Sequence, residues 1–525
     1  MSVLREASAI PMGIPLGGMD LNQPLAQMDP NNSPWLLNVD CNNQSIDVRP
    51  GAVIHCTIEN VNTIRQLGVY GGGVGSDSLF AYTHKSASNH LIYNVSTSTE
   101  SLVHTTGGSS STDEYVSNYN GKLAFVTNTD SSNSARYWDG STWNSWGFTY
   151  DSGGGANPIG GLIVLNYRSR VYIFDQRAFY YGGVSAVSGA TTQVDLGDLI
   201  DQAGGFAWAA NFPISQQSLT DTLLIMGTQG GEVFAYTGSY PGSSTWQLQQ
   251  KFKLDSVLGY NTILRYRNDL WILTKTGIVS LRALLQGASS DDPSVYSPSY
   301  PINLHWTKLT ANIGTSLWTG NETQFSACHW PEKNRIFVLA PGKISESGTY
   351  SSSGATIFSY NTLTQAWSIH QLSNVLGTHV GGITYYQNGV YFYTGNVVMK
   401  LDPSVFKDET YNSAGSYSAI PWVIDGPYTD LGLGNQGKKV QGISPIFETD
   451  FTASLVGVSA GADIGKYTKT VYVDFTDDIT GPYYSAGVVG KRIKFRMSGN
   501  SDPTSTEGLK LYAVDATIEP QRSIR

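Results

Sequence analysis

Charge is scarce in this chain: Asp, Glu, Lys and Arg make up 14% of its 525 residues, against about 25% in an ordinary globular protein. Cysteine is scarcer. Cys41, Cys56 and Cys328 are odd in number and form no CxxC pair, which excludes a disulfide framework and reads as three buried thiols in a reducing cytoplasm. Long apolar runs are missing as well. No stretch approaches the roughly 18 uninterrupted apolar residues of a membrane span, and Met1-Ser2-Val3-Leu4-Arg5-Glu6 lacks the apolar region of a secretory signal. The expectation is a soluble protein with no visible address. Helix signals are few; Ser280 to Gly287 and Leu196 to Gly205, each closed by glycine, are the best short candidates, so an all-helical fold is excluded.

What the chain does have is turns and β-formers: 57 Gly, 21 Pro, 31 Tyr and 12 Trp. Aromatic residues suit pleated surfaces, and glycine supplies positive φ at turns. With 40% hydrophobic residues there is ample material for a core, which argues against disorder. Three zones separate by texture. Residues 1–58 are rich in Pro and Asn and read as an N-terminal extended arm. Residues 59–405 are a train of short alternating strands, among them GKLAFVTNT, NDLWILTKTGIVSL and NGVYFYTGNVVMKLD, at a spacing of about 40 to 50 residues per unit, the period of propeller blades. In three units a strand bearing a Tyr (Tyr137, Tyr236, Tyr360) leads through a turn to a Trp (Trp143, Trp246, Trp367), as in the outer hairpin of a blade. Residues 406–525 carry longer strands and suit a C-terminal β-sandwich-like domain. The expected fold is all-β: a β-propeller of six or seven blades flanked by arm and sandwich.

Catalytic motifs fail in context. Gly457-Val458-Ser459-Ala460-Gly461 matches G-x-S-x-G, but the following residues run into a strand, whereas a nucleophile elbow needs a helix. Gly465-Lys466 lacks the spacing and the hydroxyl of a phosphate-binding loop. Asp139-Gly140 reads as a hairpin turn, since a sialidase Asp-box would separate the two residues by one. The eight histidines show no metal-ligand spacing, so no metal, cofactor or catalytic residue is assigned. Asp291-Asp292 and Asp477-Asp478 read as solvated loop acids, although paired acids for glycoside hydrolysis meet in space rather than in sequence.

The net charge of −9 and a pI near 5.4 argue against a protein that clamps nucleic acid through bulk positive potential. One basic cluster stands out. In Lys491-Arg492-Ile493-Lys494-Phe495-Arg496-Met497, period two puts Arg492, Lys494 and Arg496 on one strand face. A solvated face is one reading, and a contact with an acidic neighbouring subunit the sharper one.

Two stretches resemble the tail nozzle, or tail tubular protein B-like, family of short-tailed bacteriophages. GIPLGGMDLNQPLAQMDPNNSPWLLNVDCNNQSIDVRPG (Gly13 to Gly51) is similar to the N-terminal arm of that family, with its Gly-Gly start and terminal Arg-Pro-Gly. Asn166 to Leu285, which includes G-E-V-x-x-Y-x-G at Gly231 to Gly238, resembles its tail propeller. The resemblance implies a non-enzymatic structural subunit of the virion tail, made in the host bacterial cytoplasm. It implies a homo-oligomeric, hexameric ring that binds the adaptor or portal-proximal protein, meets tail fibres or spikes and lets genomic DNA pass without sequence-specific binding. On that reading Trp35 anchors the arm, which lies along a neighbour or returns to close the propeller; Trp35, Arg492, Lys494 and Arg496 are the expected interface residues. The alternative is a carbohydrate-binding or carbohydrate-cleaving propeller for receptor recognition. A kelch-like scaffold ranks last because the Gly-Gly pairs fall at differing strand positions.

Overall fold

The computed structural model describes residues 8–520 apart from 26, 72–76, 87–88, 108–113, 128–135, 152–155, 160, 162, 202–203, 214–221, 261, 288–292, 314–324, 377–378, 434–435, 450–454, 463–468, 475–483 and 506–507. Seven blades follow one another among these residues. Blade 1 holds Thr63–Tyr70, Ser78–Ser86, Asn89–Asn94 and Ser101–Gly107; blade 2 holds Glu114–Tyr119, Lys122–Thr127, Arg136–Trp138 and Trp143–Ser145. Blade 3 spans Ile163–Tyr167 to Gly189–Asp195 and gains Phe148–Asp151 and Ala156–Pro158 at its outer edge. Blade 4 runs from Phe206–Pro213 to Gln247–Lys253, and blade 6 from Ser326–Trp330 to Trp367–Leu372. The expected Tyr–Trp hairpins are the outer hairpins of blades 2, 4 and 6. Tyr360 pairs directly with Trp367 at a ring distance of 4.8 Å, and Tyr236 stacks on Trp246 at 5.0 Å.

Blades 5 and 7 depart from this plan. Blade 5 has three strands, Ile263–Tyr266, Asp269–Thr274 and Gly277–Ser280, after which the chain enters the helix Leu281–Leu285. The Ser280 hydroxyl caps that helix by accepting from the Ala283 N–H at 3.2 Å. Blade 7 combines Val380–Tyr386, Gly389–Thr394 and Val397–Asp402 with an outermost strand from the other end of the propeller, Gly51–Thr57. Joining first and last segments in one sheet closes the ring and leaves no open edge between them.

Apart from two small strand pairs, Gly18–Met19 with Asn32–Ser33 and Lys407–Thr410 with Ser413–Ala419, the remaining strands build a two-sheet sandwich. One sheet orders Tyr484–Gly490, Lys438–Thr449, Leu509–Pro520, Ile46–Val48 and Val39–Cys41, with Ser8–Pro11 also on Leu509–Pro520. The other contains Pro421–Asp425, Ile493–Asn500, Leu455–Ala462 and Lys469–Asp474. Trp35–Leu37 pairs with Pro421–Asp425 and, at Leu37, with Ile369 of blade 6. Blade 6 and the second sandwich sheet are thereby one nine-stranded sheet. A single core spans the join, holding Trp422, Ile493, Met497 and Leu511 of the sandwich with Trp306, Ile336 and Phe358 of the propeller side. The arm therefore returns on its own chain, stitching the sandwich and closing blade 7.

Helix content differs from expectation in three places, one of them a short helix at Pro293–Tyr296. Within the expected helix Leu196 to Gly205, Leu196 to Ile200 makes one turn, Ile200 N–H to Leu196 O at 3.2 Å, and is not helical. Conversely Asn303–Ile313 is helical. Trp306 and Leu309, one turn apart, are buried, and the Trp306 indole donates to Thr274 O at 2.9 Å. Tertiary packing holds this helix despite its β-branched and Asn content.

Candidate functional site

The residues singled out in the sequence fall mainly at the join between propeller and sandwich. Trp35 is 2% exposed and packs 5.3 Å from the His305 ring, so it anchors the arm to its own chain. Alternation in Ile493–Asn500 follows the expected period, with Ile493, Phe495 and Met497 buried and Lys494 and Arg496 half-buried. These two cations meet acids of the same chain. Lys494 Nζ lies 3.1 Å from a carboxylate oxygen of Asp425, and Arg496 grips Glu346 with two bonds of 2.9 Å while standing 3.6 Å from Asp425. Glu346 sits in the loop between Arg335–Ile344 and Tyr350–Asn361, so this ladder ties the sandwich to blade 6. Burial raises the Asp425 carboxyl above its ordinary range even though Lys494 and Arg496 pull it down. Arg492 is half-buried at the head of the row.

Other motifs have structural explanations. Ser459 lies mid-strand opposite Arg496, 7% exposed, and donates to the Arg496 carbonyl at 3.4 Å. Asp139 wraps its turn, accepting from the N–H groups of Ser141 and Thr142 at 2.9 and 2.8 Å, which lowers its carboxyl below the usual range. Gly231, at φ +90, turns between the middle strands of blade 4, where a Cβ would sit 2.3 Å from the Leu254 carbonyl oxygen. All three cysteines are buried, and burial pushes the Cys41 and Cys56 thiols up to about 12. Asp291-Asp292, Asp477-Asp478 and Gly465-Lys466 lie outside the described residues. Among the described residues no three His, Cys, Asp or Glu side chains gather to hold a metal, and no helix is long and apolar enough to cross a membrane.

The terminal Arg-Pro-Gly of the arm acquires a physical role. Arg49 is fully buried and clamps Asp408 through both terminal nitrogens at 2.9 and 2.5 Å. Its Nε donates to Asn38 Oδ1 at 2.9 Å, and its remaining donors reach the carbonyls of Pro50 (2.8 Å) and Gln371 (3.1 Å). One guanidinium thus links arm, blade 6 and the segment after blade 7. Gly51 follows because a Cβ there would sit 2.1 Å from the Lys407 carbonyl oxygen. Beside it Asp40 accepts from Ser359 Oγ at 2.8 Å and meets His370 Nε2 at 3.1 Å and Arg335 at 3.5 Å. Burial opposes its charge, but Arg335 and His370 outweigh burial and hold its carboxyl well below the usual range.

The inner strands share a repeat that period-two reading passes over. Those of blades 1, 2, 3, 5, 6 and 7 end in Tyr70, Tyr119, Tyr167, Tyr266, Trp330 and Tyr386. In blades 2, 3 and 7 the next two residues, Asn120-Gly121, Arg168-Ser169 and Gln387-Asn388, have positive φ throughout, as a type I′ hairpin requires. The residue before the aromatic reaches back to the preceding blade: Asn118 donates to Val69 O (3.3 Å), Asn211 to Asn166 O, and Arg265 to Asn211 O. Each acceptor occupies the equivalent position one blade earlier. These bonds satisfy carbonyls on strand edges that have no further strand to pair with.

Where blade 5 lacks a fourth strand, its seam with blade 6 opens into a cleft of about 480 Å³. Its walls carry Tyr266, Trp271, Tyr296 and Tyr360 together with Arg267, Asn268, Arg282 and Gln365. Ring contacts at 5.7 Å (Tyr266 to Trp271) and 5.3 Å (Trp271 to Tyr360), both near perpendicular, hold the aromatic floor. Burial pushes the Tyr360 hydroxyl up to about 12, so it stays a protonated donor at neutral pH. None of these cleft residues was singled out as a site in the sequence.

No family model and no curated protein matches the chain. Among solved structures it is similar to the β-propeller domain of Myceliophteria thermophila Cps50 (Swd1), at 10% identity and a TM-score of 0.38, covering 67% of this chain and 99% of that one. It is likewise similar to a chain of a mitotic checkpoint complex, at 10% identity and a TM-score of 0.38, covering 69% and 94%. The blades described above rest on their own strand pairing.

Proposed function

We propose that this chain is a non-enzymatic structural subunit of a phage tail, a nozzle component that forms a ring continuing the DNA ejection channel below the adaptor. The observation that carries the reading is the continuous nine-stranded sheet that makes blade 6 and the sandwich one piece, with the arm sewn through both. Such a body has no soft linker between its β-domains, and a ring wall under pressure needs that stiffness. The stretches that resemble the tail family support it: Asn166 to Leu285 covers most of blades 3 to 5, and Arg49-Pro50-Gly51 forms the clamp that closes blade 7.

On this reading the ring is hexameric and sits in the virion tail, meeting the adaptor or portal-proximal protein and fibres or spikes. The acidic balance, a net charge of −9, suits a wall along which DNA slides without being held. Incubating the purified full chain with tails that lack it tests the proposal. Incorporation as a ring that restores DNA ejection is the expected result. A chain that stays free of tails and instead binds host polysaccharide would overturn it in favour of receptor recognition.

A further inference from the structure

The cleft between blades 5 and 6 has the makings of a binding site rather than a packing gap. Its floor is aromatic and stiff, yet Tyr266, Tyr296 and Tyr360 are only half-buried and present part of their rings to the opening. Trp271 lies beneath them at 5% exposure. At about 480 Å³ the space falls within the range of small-molecule sites.

The polar groups at its rim are unequally committed. Asp269 is spent on the fold: it accepts from Ser280 Oγ at 2.6 Å and from the backbone N–H groups of Leu270 and Arg282 at 2.7 and 2.9 Å. Arg282 is held by the carbonyl of Asn268, with its Nε at 3.0 Å. Arg267 is different. It is exposed, its guanidinium lies over the Tyr266 ring at 5.0 Å from the ring centre, and it meets no carboxylate among the described residues. It also occupies a left-handed backbone position, φ +53, that a Gly or Asn would hold with less strain. The side-chain amides of Asn268 and Gln365 complete the rim.

We infer that this cleft binds a saccharide carrying a carboxylate, with the sugar ring laid on Tyr360, its hydroxyls on the amides of Asn268 and Gln365, and its carboxylate on Arg267, whose guanidinium stays over Tyr266. The floor chooses sugar over nucleotide. A base needs a flat face or a slot between parallel rings, whereas these rings meet edge to face at 64° and 68° and offer tilted patches that suit a puckered ring with axial C–H groups. The rim chooses an acid, because a guanidinium that has no carboxylate partner among the described residues and stands at an aromatic cleft is an anion receptor with directional donors. The inference needs only the cleft and stands apart from the role in the tail.

The test uses the full-length chain, following tryptophan fluorescence and calorimetric binding with trigalacturonate and 3′-sialyllactose, each against its neutral counterpart, galactotriose and lactose. At least one acidic probe should bind saturably and about tenfold or more tighter than its neutral partner, with affinity falling as salt rises. Arg267→Gln, on an exposed turn, should cut acid binding about tenfold with circular dichroism unchanged, and Gln365→Ala should weaken it without changing the salt dependence. Failure of both acidic probes to saturate would overturn the inference. So would wild-type affinity in Arg267→Gln, or adenosine monophosphate binding more tightly than either saccharide.

Discussion

The Arg49–Asp408 clamp is a vulnerable point of the architecture, because one buried pair joins the arm, blade 6 and the strand that closes blade 7. Arg49 has 0% and Asp408 7% side-chain exposure. Replacing Arg49 with Met keeps much of the side-chain volume but strands the Asp408 carboxylate, which would retain the Ala52 N–H at 3.0 Å and no cation. Breaking a buried pair in this way costs about 3 to 5 kcal/mol. The whole chain need not unfold in one step, so the readout should be local: hydrogen exchange in Gly51–Thr57 and its partner Val397–Asp402, which together close the ring. If opening of that strand pair becomes easier by that amount, exchange there rises by roughly two to four orders of magnitude, while blades 2 to 4 keep their protection. Asp408→Asn should act similarly, by leaving Arg49 buried without its counter-charge. The double variant Arg49→Met/Asp408→Leu removes both charges and should recover most of the loss, since apolar replacements of buried pairs are often neutral. A change of less than about 1 kcal/mol in Arg49→Met, or costs that simply add in the double variant, would refute the clamp.

Further consequences concern neighbouring residues. Gly51→Ala forces a Cβ against the Lys407 carbonyl and should cost about 1 to 3 kcal/mol by the same exchange assay; an unchanged protein would show that the close approach is not required. His305, 2% exposed beside Trp35, has its pKa lowered to about 4 by burial and by Lys308, against a smaller upward pull from Glu346. The unfolded chain takes up a proton near pH 6.5 that the folded chain refuses until about 4. Stability should therefore fall by up to about 3 kcal/mol as pH drops between those values and level off below them. His305→Phe should flatten that part of a pH series of thermal melts, and an unflattened series would contradict the assignment. Glu346→Gln removes a half-exposed pair with Arg496 and should cost no more than about 1 kcal/mol; Asp425→Asn deletes a carboxylate whose charge burial already disfavours and should cost no more than that, so a clearly larger loss in Asp425→Asn would contradict the burial argument.

Much of the fold was legible because strand alternation and turn residues act locally. The outer hairpins could be read from Tyr236 and Trp246 or Tyr360 and Trp367, and the face that carries Lys494 and Arg496 from period two alone. What those cations meet was not legible, since Glu346 comes from a loop of blade 6 and Asp425 from another strand, both far away in sequence. The course of the arm was hidden for another reason. Val39–Cys41 and Ile46–Val48 have three residues each, too few to show a period, and their pairing is decided by partners at the far end of the chain. The inner-hairpin repeat was available in Tyr119-Asn120-Gly121 and Tyr386-Gln387-Asn388. Arg168-Ser169 obscured it by placing residues at positive φ that are not glycine or asparagine. The cleft could not be read at all, because it exists only where a blade stops one strand short.

The most direct test of the account is the native mass of the purified full-length chain, measured alone and after incubation with tails lacking it. The account predicts that the chain joins the tail as a hexameric ring held by the adaptor, and that Arg49→Met impairs this joining. A chain that never associates with tail proteins at any concentration would contradict the proposed role.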